Sequence, residues 1–318
     1  MLKIGYPICA QSFKQWYLSN EHFKKIYYSL GSPTPFDVSL RDGLQSLSIS
    51  KQENFSLEKK IELYNKISGF YKPKNIEIGS IISEKVLPIF KDTIELNKYI
   101  YDYCKNYETN CNNFVLIPNQ QKLLKVINYK EFTNFSFITS VSDSFQRKNT
   151  KMSLQENDKE LINMMYLLDD HQCHIHPNVK LYISCINECP IEGKIDNDFI
   201  VNRILNLNKN LNPSTICLSD TCGSLTPDDF EYIVDTCNYF GIPFSKISLH
   251  LHVRKDREID VKTIIHMALD RKIIDFDVSI LETGGCSVTM EKTKLTPNLT
   301  YDMYYKCLVD YIIKLANK

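Results

Sequence analysis

The stretch TICLSDTCGSLTPDDFEYIVDTCNYFGIPFSKISLHLH (215–252) contains one complete strand–helix–strand unit. TICLSD and ISLHLH are short runs rich in apolar and β-branched residues, which suit a pleated, buried surface. Between them, Thr226 followed by Pro227 has the form of an N-cap and first helical position, and Gly241 stands where the helix should stop. Two consecutive strands joined through a helix run parallel, because only a short hairpin would make them antiparallel.

The same alternation extends in both directions. PFDVSL (35–40), NIEIGS (75–80), FVLIPN (114–119), NFSFITS (134–140) and VKLYISC (179–185) precede this unit, and IDFDVSI (274–280) follows it. SLEKKIELYNKISGFY (56–71) places Ile61, Tyr64, Ile67 and Phe70 on one helical face. REIDVKTIIHMALDRK (257–272) and TYDMYYKCLVDYIIKLANK (300–318) share the 3.6-residue period. The polar stretch 143–160 reads as a loop plus a helix start. Eight strands in strict β-α alternation predict an α/β protein, a (β/α)8 TIM barrel, with a short N-terminal extension (1–34) and a barrel domain over 35–318 that includes a C-terminal helix. An open doubly wound sheet is the structural alternative, but its GxGxxG signature is absent after the first strand.

Composition narrows the function. The chain has 318 residues, with 38 Lys+Arg against 38 Asp+Glu, so broad electrostatic binding to nucleic acid or to anionic lipid is not expected. No apolar run is long enough to span a membrane, so no membrane partner is expected. The 11 cysteines are odd in number and scattered. With no apolar signal segment ahead of them they predict reduced thiols and an intracellular, cytoplasmic protein. Residues 1–34 are the stretch that would carry a mitochondrial presequence, but they contain no Arg.

In such a barrel the active site lies at the C-terminal ends of the strands. Five of those ends carry reactive groups: Arg41-Asp42-Gly43, Glu77 with Gly79-Ser80, Ser219-Asp220-Thr221, His250-Leu251-His252 and Gly284-Gly285-Cys286. Residues two apart on a strand point the same way, so His250 and His252 share a face. Two imidazoles with a carboxylate, for which Asp42 is the natural third group, suit a divalent cation in an open site. Two core histidines satisfied by backbone groups are the plain alternative. Arg41 cannot lose its charge and needs a carboxylate or a substrate oxygen. Glu77, between Ile76 and Ile78, is a desolvated carboxylate that would find its partner in Arg41. Cys286 follows two glycines on what reads as a mobile loop. The cluster His171, Cys173, His174 and His176 precedes the fifth strand, at the face that serves stability.

Taken together, FDVSLRDGLQS (36–46), IEIGSIISEKVLPIF (76–90), VLIPN (115–119), LYISCINECPIEGKI (181–195), LSDTCGSLTP (218–227), HLH (250–252) and DVSILETGGCSV (277–288) resemble the 3-hydroxy-3-methylglutaryl-CoA lyase family of DRE-type TIM-barrel metallolyases. They occur in the family's order. The resemblance implies retro-Claisen cleavage of an acyl-CoA substrate to acetyl-CoA and acetoacetate, with Mg2+ or Mn2+ held by Asp42, His250 and His252. It implies that Arg41 polarises the thioester carbonyl, Cys286 protonates the acetyl-CoA carbanion, Glu77 and Asp220 support the constellation, and Gln45, Ser80 and Tyr182 line the substrate site. His250 thus counts both as a ligand and as a catalytic residue. A homodimer is implied as well. A Claisen-condensing acyltransferase of the isopropylmalate or homocitrate synthase type, and a catalytically silent binding relative, are the competing readings. The family's Gly-Asn after the GGC loop, whose Asn is a further metal ligand, is missing. Asn298 follows Pro297 instead and is expected to be displaced, and the segment after HxH reads Val253-Arg254-Lys255-Asp256.

Overall fold

The strands expected from the sequence form a ring. In the computed structural model, which describes residues 9–107, 111–170, 177–285, 289–290 and 295–318, they are β1 (Phe36–Asp37), β2 (Asn75–Ser80), β3 (Asn112–Leu116), β4 (Asn134–Ser140), β5 (Asn178–Ser184), β6 (Thr215–Asp220), β7 (Ile247–Leu251) and β8 (Asp275–Val278). Each pairs in parallel with its sequence neighbours, and β1 pairs with both β2 and β8, which closes the barrel. The protein is thus a (β/α)8 barrel, and the open-sheet alternative is excluded. Helices cover the outside of the ring, so both faces of each strand are buried. That explains why the strands read as nearly continuous apolar runs.

Helix boundaries follow local chemistry. Thr226 Oγ1 accepts from the Asp229 amide and caps the helix Pro227–Tyr239 as the sequence predicts. Helices Ala10–Leu18 and Glu21–Ser29 lead into β1, with Phe13 stacked on Tyr305 of the C-terminal helix Tyr301–Ala316.

Two expectations need correction. The stretch 143–160 is mostly helical, carrying the helix Asp143–Thr150 and the start of Leu154–Asp170. Short polar side chains supply the caps: Ser142 Oγ accepts from the Phe145 amide, and Ser153 and Glu156 form a reciprocal box. Phe70 also leaves the face shared with Tyr64 and Ile67. The helix Leu57–Lys66 widens into a π-turn over Ile67–Tyr71, which rotates Phe70 outward and sets Tyr71 against Tyr301 at 4.5 Å.

Candidate active site

The strands open at their C-terminal ends onto a cavity of about 290 Å3. Arg41, Asp42, Gln45, Ser80, Tyr182, His250 and His252 line it together. Consecutive residues of a strand point to opposite faces, so Arg41 and Asp42 could not both face the lumen from one. The chain resolves this by ending β1 after two residues and entering a π-turn over Ser39–Gly43, in which the Arg41 and Gly43 amides both donate to the Val38 carbonyl. In β2 the register shifts between Glu77 and Ser80, and Ser80 lines the cavity while Glu77 is bonded to Arg41 behind its wall.

Arg41 is locked in place. Its Nε donates to Glu77 Oε2 at 2.5 Å, a second guanidinium nitrogen donates to Asp42 Oδ1 at 2.7 Å, and the group lies over the Tyr182 ring at 5.1 Å. The Tyr182 hydroxyl donates to the same Glu77 oxygen at 3.2 Å. Burial opposes the charge on Arg41, but Glu77 and Asp42 outweigh it and hold the guanidinium charged. Burial alone would push the Asp42 carboxyl up. Arg41 and the two histidines reverse this and hold it well below the usual carboxylate range.

Ligand atoms of Asp42, His250 and His252 all lie within 4.8 Å of one another. His250 Nδ1 is 3.0 Å from Asp277 Oδ2, and His252 Nδ1 is 3.0 Å from the Thr296 carbonyl oxygen. A carboxylate and a carbonyl only accept, so each Nδ1 carries a proton, and Nε2 is the ring atom of each neutral imidazole that can bind a metal. Burial and the neighbouring His250 push His252 down to about 4, so it is neutral at physiological pH, the state that binds metal.

The expectation that Asn298 is displaced is overturned. Asn298 forms a backbone bridge with His252, and its Nδ2 donates to Asp42 Oδ2 at 2.9 Å, while its buried Oδ1 has no hydrogen-bond partner. Tertiary pairing of the segment after the GGC loop with the end of β7 delivers the residue. Gly284 makes room for it, because a Cβ there would stand 2.7–2.8 Å from Asn298 Nδ2, Cγ and N. Two imidazole nitrogens, a carboxylate and an unpartnered amide oxygen make a nitrogen–oxygen donor set that fits a divalent cation.

Asp220 is not among the residues lining the cavity. Both of its oxygens accept loop amides, from Ser224 at 3.0 Å and Leu225 at 3.1 Å, and burial pushes it up to about 6. Glu77 also stays behind the cavity wall and reaches the site through Arg41 and Tyr182. Cys286 and the cluster His171 to His176 lie outside the described residues. Arg254 is ion-paired with its neighbour Asp256 at 2.7 Å. In the SCxxxCPxEGK motif, Cys185 donates its amide to Thr221 Oγ1 at 2.8 Å and Lys194 pairs with Asp229 at 2.6 Å, so this loop is knitted to the end of β6.

Sequence reasoning passed over two buried charged residues, Lys180 and Asp277. Lys180 Nζ is bonded to Asp277 Oδ1, whose other oxygen holds His250. The signal was present: Lys180 stands alone in the apolar run VKLYISC, as Glu77 does in IEIGS.

The fold is a TIM barrel with its polar cluster at the C-terminal mouth of the strands, and the relatives that share it are carbon–carbon lyases, the enzyme class of this chain. A family model described as HMGL-like matches residues 33–268, and the chain belongs to that family. It is 26% identical over 254 residues to the cytoplasmic 3-hydroxy-3-methylglutaryl-CoA lyase of Rattus norvegicus, covering 79% of this chain and 67% of that one. It is 26% identical over 252 residues to the mitochondrial hydroxymethylglutaryl-CoA lyase of Mus musculus, covering 79% and 71%. An HMG-CoA lyase from Acinetobacter baumannii in complex with coenzyme A and 3-methylmalate shares the fold at a TM-score of 0.71 and 23% identity, over 89% of this chain and 88% of that one.

Proposed function

We propose that this chain cleaves 3-hydroxy-3-methylglutaryl-CoA, or a close analogue, to acetyl-CoA and acetoacetate. The observation that carries the reading is the placement of Arg41, a permanent cation locked by Glu77 and Asp42, on the same cavity as Asp42, His250 and His252. The last three, with Asn298, would hold Mg2+ or Mn2+. When bound, such an ion supplies positive charge to a substrate oxygen.

The chain's own groups account for the rest. Arg41 faces the thioester carbonyl. A base takes the proton of the tertiary hydroxyl, its oxygen becomes the ketone carbonyl of acetoacetate, and the carbon–carbon bond breaks with its electron pair passing to the carbon next to the thioester, giving an enolate. Arg41 stabilises the negative charge that develops on the enolate oxygen, without reorganisation, because two carboxylates already hold it. A proton delivered to that carbon completes acetyl-CoA, and the family resemblance assigns this to Cys286. Glu77 keeps Arg41 aimed, Gln45, Ser80 and Tyr182 shape the acyl pocket, and Asp220 shapes the loop after β6. Leu116, Ile138 and Phe145 give the cavity an apolar wall, while Lys122 and Lys151 sit among its lining residues and suit the phosphates of coenzyme A.

No helix among the described residues is long and apolar enough to cross a membrane. The nine described cysteines form no disulfide with one another, which suits a reducing environment.

The test is direct. Purified protein with Mn2+ or Mg2+ and hydroxymethylglutaryl-CoA should release acetoacetate, and Arg41→Met should abolish release. A correctly folded wild type that releases none refutes the reading.

A further inference from the structure

A charged chain runs through the barrel interior beneath the histidines. Lys180 on β5 is 1% exposed, and its ammonium is bonded to Asp277 Oδ1 on β8 and lies 3.5 Å from the centre of the Phe36 ring. Asp277, 1% exposed, turns its Oδ2 to His250 Nδ1 at 3.0 Å. The Cys217 thiol donates to the same oxygen at 3.9 Å. Three strands, β5, β7 and β8, thus meet in one line that ends at the imidazole on the cavity.

A buried ion pair is a poor source of stability, because removing two charges from water costs about as much as their attraction returns. Its placement points to another use. Asp277 can only accept from the imidazole, so it holds the proton on Nδ1 and fixes the plane of the ring. Lys180 in turn fixes Asp277: with its other oxygen held by the ammonium, the carboxylate cannot rotate away from the ring. The interior position also places both charges where water cannot substitute for either partner. Carboxylates behind metal-binding imidazoles orient the ligand and raise its basicity.

We propose that Lys180 is a positioning residue for the metal centre, acting through Asp277 to hold the His250 Nε2 lone pair toward Asp42 and His252. This rests on the metal-site reading above and adds to it a residue on a strand that contributes no ligand. Lys180 does not touch the ion or the substrate, so its replacement changes how the site is prepared rather than what reacts.

Two measurements at one fixed pH test this, with 15N-histidine spectra of the metal-free protein and a Mn2+ titration followed by electron paramagnetic resonance. His250 is identified by the signal lost in His250→Gln. Wild type should show a single Nδ1–H tautomer for His250. Lys180→Met should mix the tautomers and weaken Mn2+ binding by about 10- to 100-fold. Lys180→Arg, which keeps a cation for Asp277, should restore both. If Lys180→Met does not fold, Lys180→Met/Asp277→Asn removes both charges together, and its amide can present either oxygen or NH2 to the ring, so tautomer mixing and weaker binding are again expected. An unchanged tautomer with an unchanged Mn2+ affinity in the folded variant overturns the proposal. A wild type that binds no Mn2+ overturns the metal reading instead, and the tautomer measurement then decides the role of Lys180 on its own.

Discussion

Replacing Gly284 by alanine is the sharpest probe of Asn298. Gly284 is not in a left-handed conformation, so alanine adds no backbone strain and its effect is purely steric. The new Cβ would stand 2.7 Å from Asn298 Nδ2 and 2.8 Å from Cγ and from the backbone nitrogen. Because one of the three is backbone, the side chain cannot simply swing aside. Asn298 must retreat by roughly 0.7 Å to reach ordinary contact. That stretches the 2.9 Å bond from Nδ2 to Asp42 beyond hydrogen-bond range. A hydrogen bond to a charged group contributes roughly 1.5–3 kcal/mol, so the cost to the assembled site corresponds to about a 10- to 150-fold loss of divalent-cation affinity. Titrating wild type, Gly284→Ala and Asn298→Ala with Mn2+ should show both variants weakened to a similar degree, with the double variant little worse than either single one. A Gly284→Ala protein with wild-type Mn2+ affinity refutes the claim that Asn298 belongs to the centre.

Glu77→Gln removes one of the two carboxylates that hold Arg41, a break in a buried pair that costs about 3 kcal/mol or more; thermal unfolding should move down by several degrees, and acetoacetate release should fall with it. Asp37 is fully buried, and burial pushes its carboxyl from 3.8 up to about 7, against the hydrogen bonds from Ser39 and Tyr301. Its contribution to stability is therefore fully present below about pH 4 and is lost as pH rises to about 7. Asp37→Asn should flatten that part of the denaturant-measured stability curve by up to about 4 kcal/mol, and an unchanged curve refutes the assignment. Lys122→Ala should raise KM for the acyl-CoA several-fold with kcat nearly unchanged, an effect that shrinks at high salt; a change confined to kcat would contradict a role in holding the phosphates.

The sequence by itself determined the eight β-α units and favoured a ring over an open doubly wound sheet, and the pairing of β1 with β8 in the structure closed it. Eight short apolar runs separated by helical periods specify a parallel sheet covered by helices, because hydrophobic period and helix caps are local properties. Thr226 with Pro227 marked a helix start from adjacent residues alone, and His250 with His252 were paired by the two-residue period of one strand. The tertiary structure decided what that periodicity could not reach. The π-turn at Ser39–Gly43 is needed to aim Arg41 and Asp42 at the same mouth, and a strand pattern would have sent them to opposite faces. Asp220 had the same strand-end address as the others, yet the amides of Ser224 and Leu225 lie close enough to take both of its oxygens. Asn298 looked misplaced because its distance from Gly284 along the chain says nothing about the bridge to His252 that carries it back to Asp42. Lys180 and Asp277 lie on different strands, 97 residues apart, and only closure of the barrel brings their charges together behind His250.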